Sequence, residues 1–96
     1  MTQVIVTPTA RADLVSLIRS HSLPPSTVER VRRSIEPLRD FPELGAQLHD
    51  RWAAFRFILG PWRWMIIVYH CDAATDRVAI VTIQDGHSSG AVKAQS

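Results

Sequence analysis

Apolar residues fall in successive groups along the chain, and the spacing inside each group predicts an element. Val4, Ile5 and Val6 form a β-branched run that predicts a short strand. Thr7-Pro8 follows, with Thr suited to a helix N-cap and Pro to the first helical position. Ala10, Leu14, Leu17 and Ile18 then recur at helical spacing, while Arg11, Asp13 and Arg19 lie off that stripe. Leu23-Pro24-Pro25 breaks this helix, and Ser26 or Thr27 can cap a second one. Its stripe is Val28, Val31, Ile35 and Leu38, with Glu29, Arg30, Arg32, Arg33 and Glu36 filling the other side. Pro37 ends or kinks it. Phe41-Pro42-Glu43-Leu44-Gly45 reads as a connector.

From Gln47 the texture changes to strands. Residues 53–59 alternate loosely, residues 62–70 are rich in aromatic and β-branched side chains, and residues 77–83 form a third run. Residues 71–76 supply a loop. No internal repeat is visible. The order predicts an α+β fold, a two-helix hairpin packed on one face of a mostly antiparallel sheet of four or five strands. The expected domain spans residues 1–87. Residues 88–96 are small and polar, and are expected to form a mobile tail.

A two-residue turn at Gly60-Pro61 sets Leu59 opposite Trp62, Phe57 opposite Trp64 and Phe55 opposite Ile66. One face then reads Phe55, Phe57, Leu59, Trp62, Trp64, Ile66 and Val68, and is expected to meet the helices. The other reads Ala54, Arg56, Ile58, Arg63, Met65, Ile67 and Tyr69. On it Arg56 and Arg63 become diagonal neighbours roughly 7–8 Å apart, a candidate phosphate clamp. A slip of one residue would undo the arrangement, because it turns every side chain to the opposite face.

Composition narrows the class. At 96 residues, 46% hydrophobic and 21% charged, the chain is one ordinary globular domain. The formal charge is only +2, yet the cations are ten Arg against one Lys. Arg binds phosphate and carboxylate in a bidentate fork, so the bias suits a local anion site more than a general polycation. Cys71 is the only cysteine, which excludes an intrachain disulfide and suits a reducing compartment. His70-Cys71-Asp72 lacks metal-ligand spacing, because strand neighbours point to opposite faces. No signal-peptide layout or membrane-length apolar run is present, so a cytoplasmic chain without membrane contact is expected. His87, after Asp85-Gly86, is a candidate acid or base near neutral pH. His49 and Asp50, before Arg51, form a second candidate pair. Arg30 and Arg33, one helical turn apart with Arg32 beside them, form a candidate anion-binding patch. No Gly-rich phosphate loop, nucleophile elbow or paired catalytic carboxylate appears.

Over roughly residues 4–87 the chain resembles the RelE/ParE superfamily of toxins from type II toxin–antitoxin pairs. The resemblance is carried by Val6-Thr7-Pro8-Thr9-Ala10-Arg11-Ala12-Asp13-Leu14, by the helix pair, and by Phe41-Pro42-Glu43-Leu44-Gly45-Ala46-Gln47-Leu48. It continues in Arg56…Gly60-Pro61-Trp62-Arg63, similar to an Arg…Gly-x-Tyr-Arg hairpin with Trp in place of Tyr, and in residues 78–83 running into Asp85-Gly86-His87. Three departures stand out. Ser88 occupies a position where Arg is common, Val92 one where Tyr is common, and Leu59 one where a second basic residue is frequent.

The resemblance implies a toxin held inactive by a cognate antitoxin. RelE-like members cleave ribosome-bound mRNA without a metal or cofactor, because the RNA 2′-hydroxyl is the nucleophile. ParE-like members keep the fold and poison DNA gyrase, so fold does not settle activity. Carried over by position, Arg63 matches the hairpin Arg, Arg56 the upstream basic position and His87 the terminal His. These three are the expected catalytic set, with Arg51, Arg30 and Arg33 as substrate-binding candidates. The favoured expectation is a ribosome-dependent mRNA endonuclease. The alternatives are a gyrase inhibitor, and a weakened toxin that acts mainly by binding its antitoxin. Ile58, Met65, Ile67 and Tyr69 are expected on the open sheet face, as part of the antitoxin interface or covered by a tail or by a second copy of the chain.

Overall fold

The computed structural model describes residues 2–87. The expected tail at residues 88–96, with Ser88 and Val92, lies outside them. The elements are β1 (Gln3–Val6), α1 (Pro8–Ser20), α2 (Thr27–Ile35), β2 (Ala46–Gln47), β3 (Phe55–Leu59), β4 (Met65–Asp72) and β5 (Arg77–Asp85), with 3₁₀ turns at Glu36–Arg39 and Asp50–Trp52. The five strands form one sheet in the order β1-β5-β4-β3-β2. β1 runs parallel to β5, and every other pair is antiparallel. This is the expected α+β architecture, two helices on a mostly antiparallel sheet.

Local chemistry explains the boundaries. The Thr7 hydroxyl oxygen accepts the Ala10 N–H at 3.2 Å, and Pro8 occupies the first turn. The same hydroxyl donates to the Ile80 carbonyl at 2.8 Å, which ties the start of α1 to β5. α1 stops in a Schellman turn. Ser22 takes φ 50°, and the Leu23 and Ser22 N–H groups bond back to the Ile18 and Arg19 carbonyls at 3.0 and 3.4 Å. Pro37 does what its missing N–H requires. α2 ends at Ile35, and the chain continues as a 3₁₀ turn.

The main core joins Ala10, Leu14, Val31, Ile35 and Leu38 to Met65, Ile67, Tyr69, Val78, Ile80 and Ile83. A second cluster on the other sheet face gathers Leu48 and Val68 with Phe55, Phe57, Ile66 and Val81. The helices therefore cover the face opposite to the one expected. Met65, Ile67 and Tyr69 are fully buried rather than exposed, and Ile58 is half-buried, so this set offers no antitoxin surface. The expected face is the more nearly apolar of the two, but the loop takes Arg63 off the strand and leaves Arg56 as the one cation that β3 and β4 place on the helix side.

The β3–β4 register also differs from expectation. Leu59 opposes Ile66, Phe57 opposes Val68 and Phe55 opposes His70. The strands are joined by the five residues 60–64, closed by Gly60 N–H to the Met65 carbonyl at 2.9 Å and Met65 N–H to the Trp62 carbonyl at 3.0 Å. The partner positions shift by four residues against a two-residue turn. An even shift keeps each strand residue on its own face, but it removes Trp62, Arg63 and Trp64 from the strand. β4 and β5 carry a bulge in which Val68 opposes Thr82 and Tyr69 opposes Ile80, leaving Val81 as the extra residue. Past β1 the free edge of β5 is covered by α1. Asp13 accepts from the Thr82 hydroxyl at 2.5 Å and from Ile83 N–H at 3.3 Å, which satisfies an otherwise open edge.

Candidate functional site at the hairpin end of the sheet

The loop at residues 60–64 and the end of β5 meet at one end of the sheet. Gly86 N–H donates to the Trp64 carbonyl at 2.6 Å, so the chain after β5 lies against the loop. One Asp85 oxygen accepts the His87 N–H at 2.8 Å. The other lies 2.9 Å from His21 Nε2, at the C-cap of α1. The His21 ring stacks on Trp64 with centroids 4.3 Å apart and planes at 22°. Trp64 stacks in turn on Trp62 at 6.2 Å. Arg30, from α2, places its guanidinium 4.7 Å from the centroid of the Trp62 ring. A continuous row, Arg30–Trp62–Trp64–His21–Asp85, thus joins both helices, the loop and β5.

Arg63 sits in the middle of the loop and is exposed, as is His87. The row holds the loop on both sides of Arg63, so the guanidinium stands on an anchored backbone. Within the row, Trp62 packs against a cation and an indole, and Trp64 against an indole and an imidazole. Their rings are half-buried and already stacked, as core-facing tryptophans are.

Of the six sequence candidates, this end of the sheet gathers Arg63, His87 and Arg30. Arg56 lies elsewhere. It faces the helix side three residues up β3 from the loop, about 10 Å by strand rise. Its guanidinium donates to the Gly45 carbonyl at 2.8 Å and the Glu43 carbonyl at 3.3 Å. The expected diagonal clamp of Arg56 with Arg63 on an open face is therefore not formed, because the longer loop carries Arg63 off the strand. Arg51 precedes β3 at its other end, with its guanidinium 5.5 Å from the Trp52 centroid. Arg33 lies 3.8 Å from Glu29, which also meets Arg32 at 3.6 Å. These exposed pairs describe a solvated helix face.

The residue that sequence reasoning missed is His21. Its position just before a helix-breaking Leu-Pro-Pro is legible, but its partners are Trp64 and Asp85, which only the fold brings near. The Asp85 carboxylate also meets His87, through the backbone N–H. The His70-Cys71-Asp72 segment holds no reactive thiol. Cys71 Sγ lies 2.9 Å from the Pro42 carbonyl as donor, and burial pushes the thiol pKa up. Among the described residues no three His, Cys, Asp or Glu side chains come together as a metal-binding group, and no helix is long and apolar enough to cross a membrane.

The overall fold is the RelE/ParE-type toxin fold. A chain of the RelBE2 toxin–antitoxin complex from Mycobacterium tuberculosis matches with a TM-score of 0.67 at 24% identity, over 88% of this chain and 96% of that one. A chain of the chromosomal ParDE toxin–antitoxin system of P. aeruginosa matches with a TM-score of 0.69 at 15% identity, again over 88% and 96%. The conserved hypothetical protein HP0892 of Helicobacter pylori matches with 0.58 at 10% identity, over 88% and 94%. No protein-family model and no curated protein sequence matches the chain.

Proposed function

We propose that this protein is the toxin of a type II toxin–antitoxin pair and acts as a ribosome-dependent, metal-independent mRNA endonuclease, neutralised by a cognate antitoxin. The shared fold supports the coarser part, since two of the similar structures come from toxin–antitoxin systems. The finer part rests on one observation, the gathering of exposed Arg63, exposed His87 and the His21–Asp85 pair at the hairpin end of the sheet. In-line cleavage by the RNA 2′-hydroxyl needs a fixed cation for the developing phosphorane charge and groups that move protons. Arg63 is the cation. The small net charge of +2 gives little unaided affinity for RNA, which fits a substrate presented by the ribosome.

The test is induced expression in bacteria, wild type beside Arg63→Ala, with mRNA 5′ ends mapped while growth is followed. In-frame cuts in translated messages that vanish in the variant are the expected result. A second reading, inhibition of DNA gyrase, draws on the face of the sheet away from the helices. There half-buried Phe55, Phe57 and Ile66 pack over buried Leu48 and Val68, and Leu59 stands 49% exposed at the edge. Such a face suits a protein partner better than a phosphate chain. Growth arrest without cuts, together with loss of gyrase supercoiling in the presence of the protein, decides for that reading.

A further inference from the structure

The nuclease reading leaves one step without a group. Cleavage through the 2′-hydroxyl needs a base to take the hydroxyl proton and an acid to protonate the departing 5′-oxygen. His87 supplies one imidazole. We infer that His21, oriented by Asp85, is the base and His87 the acid. This inference rests on the nuclease reading.

The geometry carries the assignment. With Nε2–H donated to Asp85 at 2.9 Å, the neutral His21 ring keeps its lone pair on Nδ1. The carboxylate then stabilises the imidazolium formed when Nδ1 takes a proton. Trp64 fixes the ring plane by stacking at 4.3 Å. Trp64 is also the chain neighbour of Arg63, so one short segment carries the cation and seats the base. The His21 side chain keeps 35% of its surface exposed, so the ring is not sealed from solvent. A purely structural role explains the stack but not the carboxylate. α1 already ends on backbone hydrogen bonds that do not involve this carboxylate.

In the step, Nδ1 of His21 removes the 2′-hydroxyl proton as the O2′–P bond forms. Arg63 neutralises the added charge on the non-bridging oxygens. The P–O5′ bond breaks with its electron pair on O5′, which takes a proton from the His87 imidazolium. The products are a 2′,3′-cyclic phosphate and a 5′-hydroxyl. One proton is taken up and one released, with no further reactant.

The charged group that meets His21 is Asp85 from β5. Arg30 from α2 is two stacked rings away across Trp62 and Trp64, Arg63 adjoins Trp64 in the chain, and Arg19 precedes His21 in the last turn of α1. The experiment is single-turnover cleavage of ribosome-bound mRNA by the full chain between about pH 5.5 and 8.5. Wild type is compared with His21→Phe, which keeps a flat ring on Trp64, and with His21→Ala supplemented with free imidazole. Wild type is expected to show a bell-shaped profile. His21→Phe should be slower by about 100-fold or more and lose the acidic limb, and imidazole should restore part of the His21→Ala rate. A His21→Phe rate within about threefold of wild type, with both limbs intact, overturns the base assignment while the nuclease reading stands. A slower rate with an unchanged profile and no rescue by imidazole also overturns it, because that is the signature of a packing role. A wild type that arrests growth without cutting removes the nuclease reading, and this inference falls with it.

Discussion

Tyr69 shows how one buried hydroxyl can fix a distant loop. Its ring is fully buried in β4, and its oxygen accepts the Gly45 N–H at 2.8 Å. Gly45 has no room for a side chain there, because an added Cβ would lie 2.8 Å from that oxygen and overlap the Phe57 carbonyl. Gly45→Ala is expected to destabilise the fold by about 2 kcal/mol or more, through overpacking against backbone and loss of the hydrogen bond, measurable by chemical denaturation. Burial raises the Tyr69 pKa, against a smaller lowering by the Gly45 N–H. A raised phenol pKa favours the neutral form in the folded state. Its stabilising contribution is therefore complete below the unfolded value near pH 10 and is lost as pH climbs towards the folded one. Tyr69 is the only tyrosine in the chain, so tyrosinate absorbance reports it alone. Ionisation should appear only above the ordinary range and coincide with unfolding. Ionisation at the ordinary value in a still folded protein would contradict the burial.

At the scale of elements, what could be read in the sequence depended on whether the deciding interaction was local. The Thr7-Pro8 cap, the α1 stripe and the Pro37 break each depend on a few adjacent residues, and each forms where expected, whereas the run expected at residues 62–70 forms as the strand Met65–Asp72. Val28 left its stripe for solvent at 55% exposure. The β3–β4 register depends on loop length, and Gly60-Pro61 marks where a strand ends without saying where the next begins. That uncertainty moved Arg63 from a strand face to a loop and separated it from Arg56. The two arginines therefore call for different readouts. Arg56→Ala is expected to cost about 1–2 kcal/mol, because it removes charged donors from the Gly45 and Glu43 carbonyls. In a domain this small that lowers Tm by roughly 4–8 °C per kcal/mol. Arg63→Ala should leave Tm within about 2 °C, since its side chain is exposed, and remove the mRNA cuts that the proposed function predicts. Paired thermal melts and 5′-end maps check this. A large melt shift for Arg63→Ala with cleavage preserved would reverse the assignment.

For the molecule as a whole, the proposed function requires a surface that an antitoxin could cover, and Met65, Ile67 and Tyr69 belong to the core instead. α1 and α2 leave between them a groove floored by Val6, Leu14, Val31, Ile80 and Ile83 and rimmed by Arg11 and Arg32. On its lips Val15 is 44% exposed and Val28 is 55% exposed. Exposed valines above an apolar floor, flanked by cations, suit an amphipathic antitoxin segment with acidic flanks. Covering each valine is worth up to roughly 1.5–3 kcal/mol, so a charge placed there should be costly to the complex. Val28 and Arg30 are two residues apart on α2, about 200° around the helix, so the groove is distinct from the row that supports Arg63. Val28→Asp is accordingly expected to weaken antitoxin binding by about tenfold or more in titration calorimetry. The protein's own Tm and the toxicity that the proposed function predicts should be nearly unchanged, because Val28 contributes little to the core. A variant still fully neutralised would move the interface to the other sheet face, where Phe57 and Leu59 are the side chains to charge next. A variant that loses toxicity together with antitoxin binding would instead show that the groove and the hairpin end act as one surface.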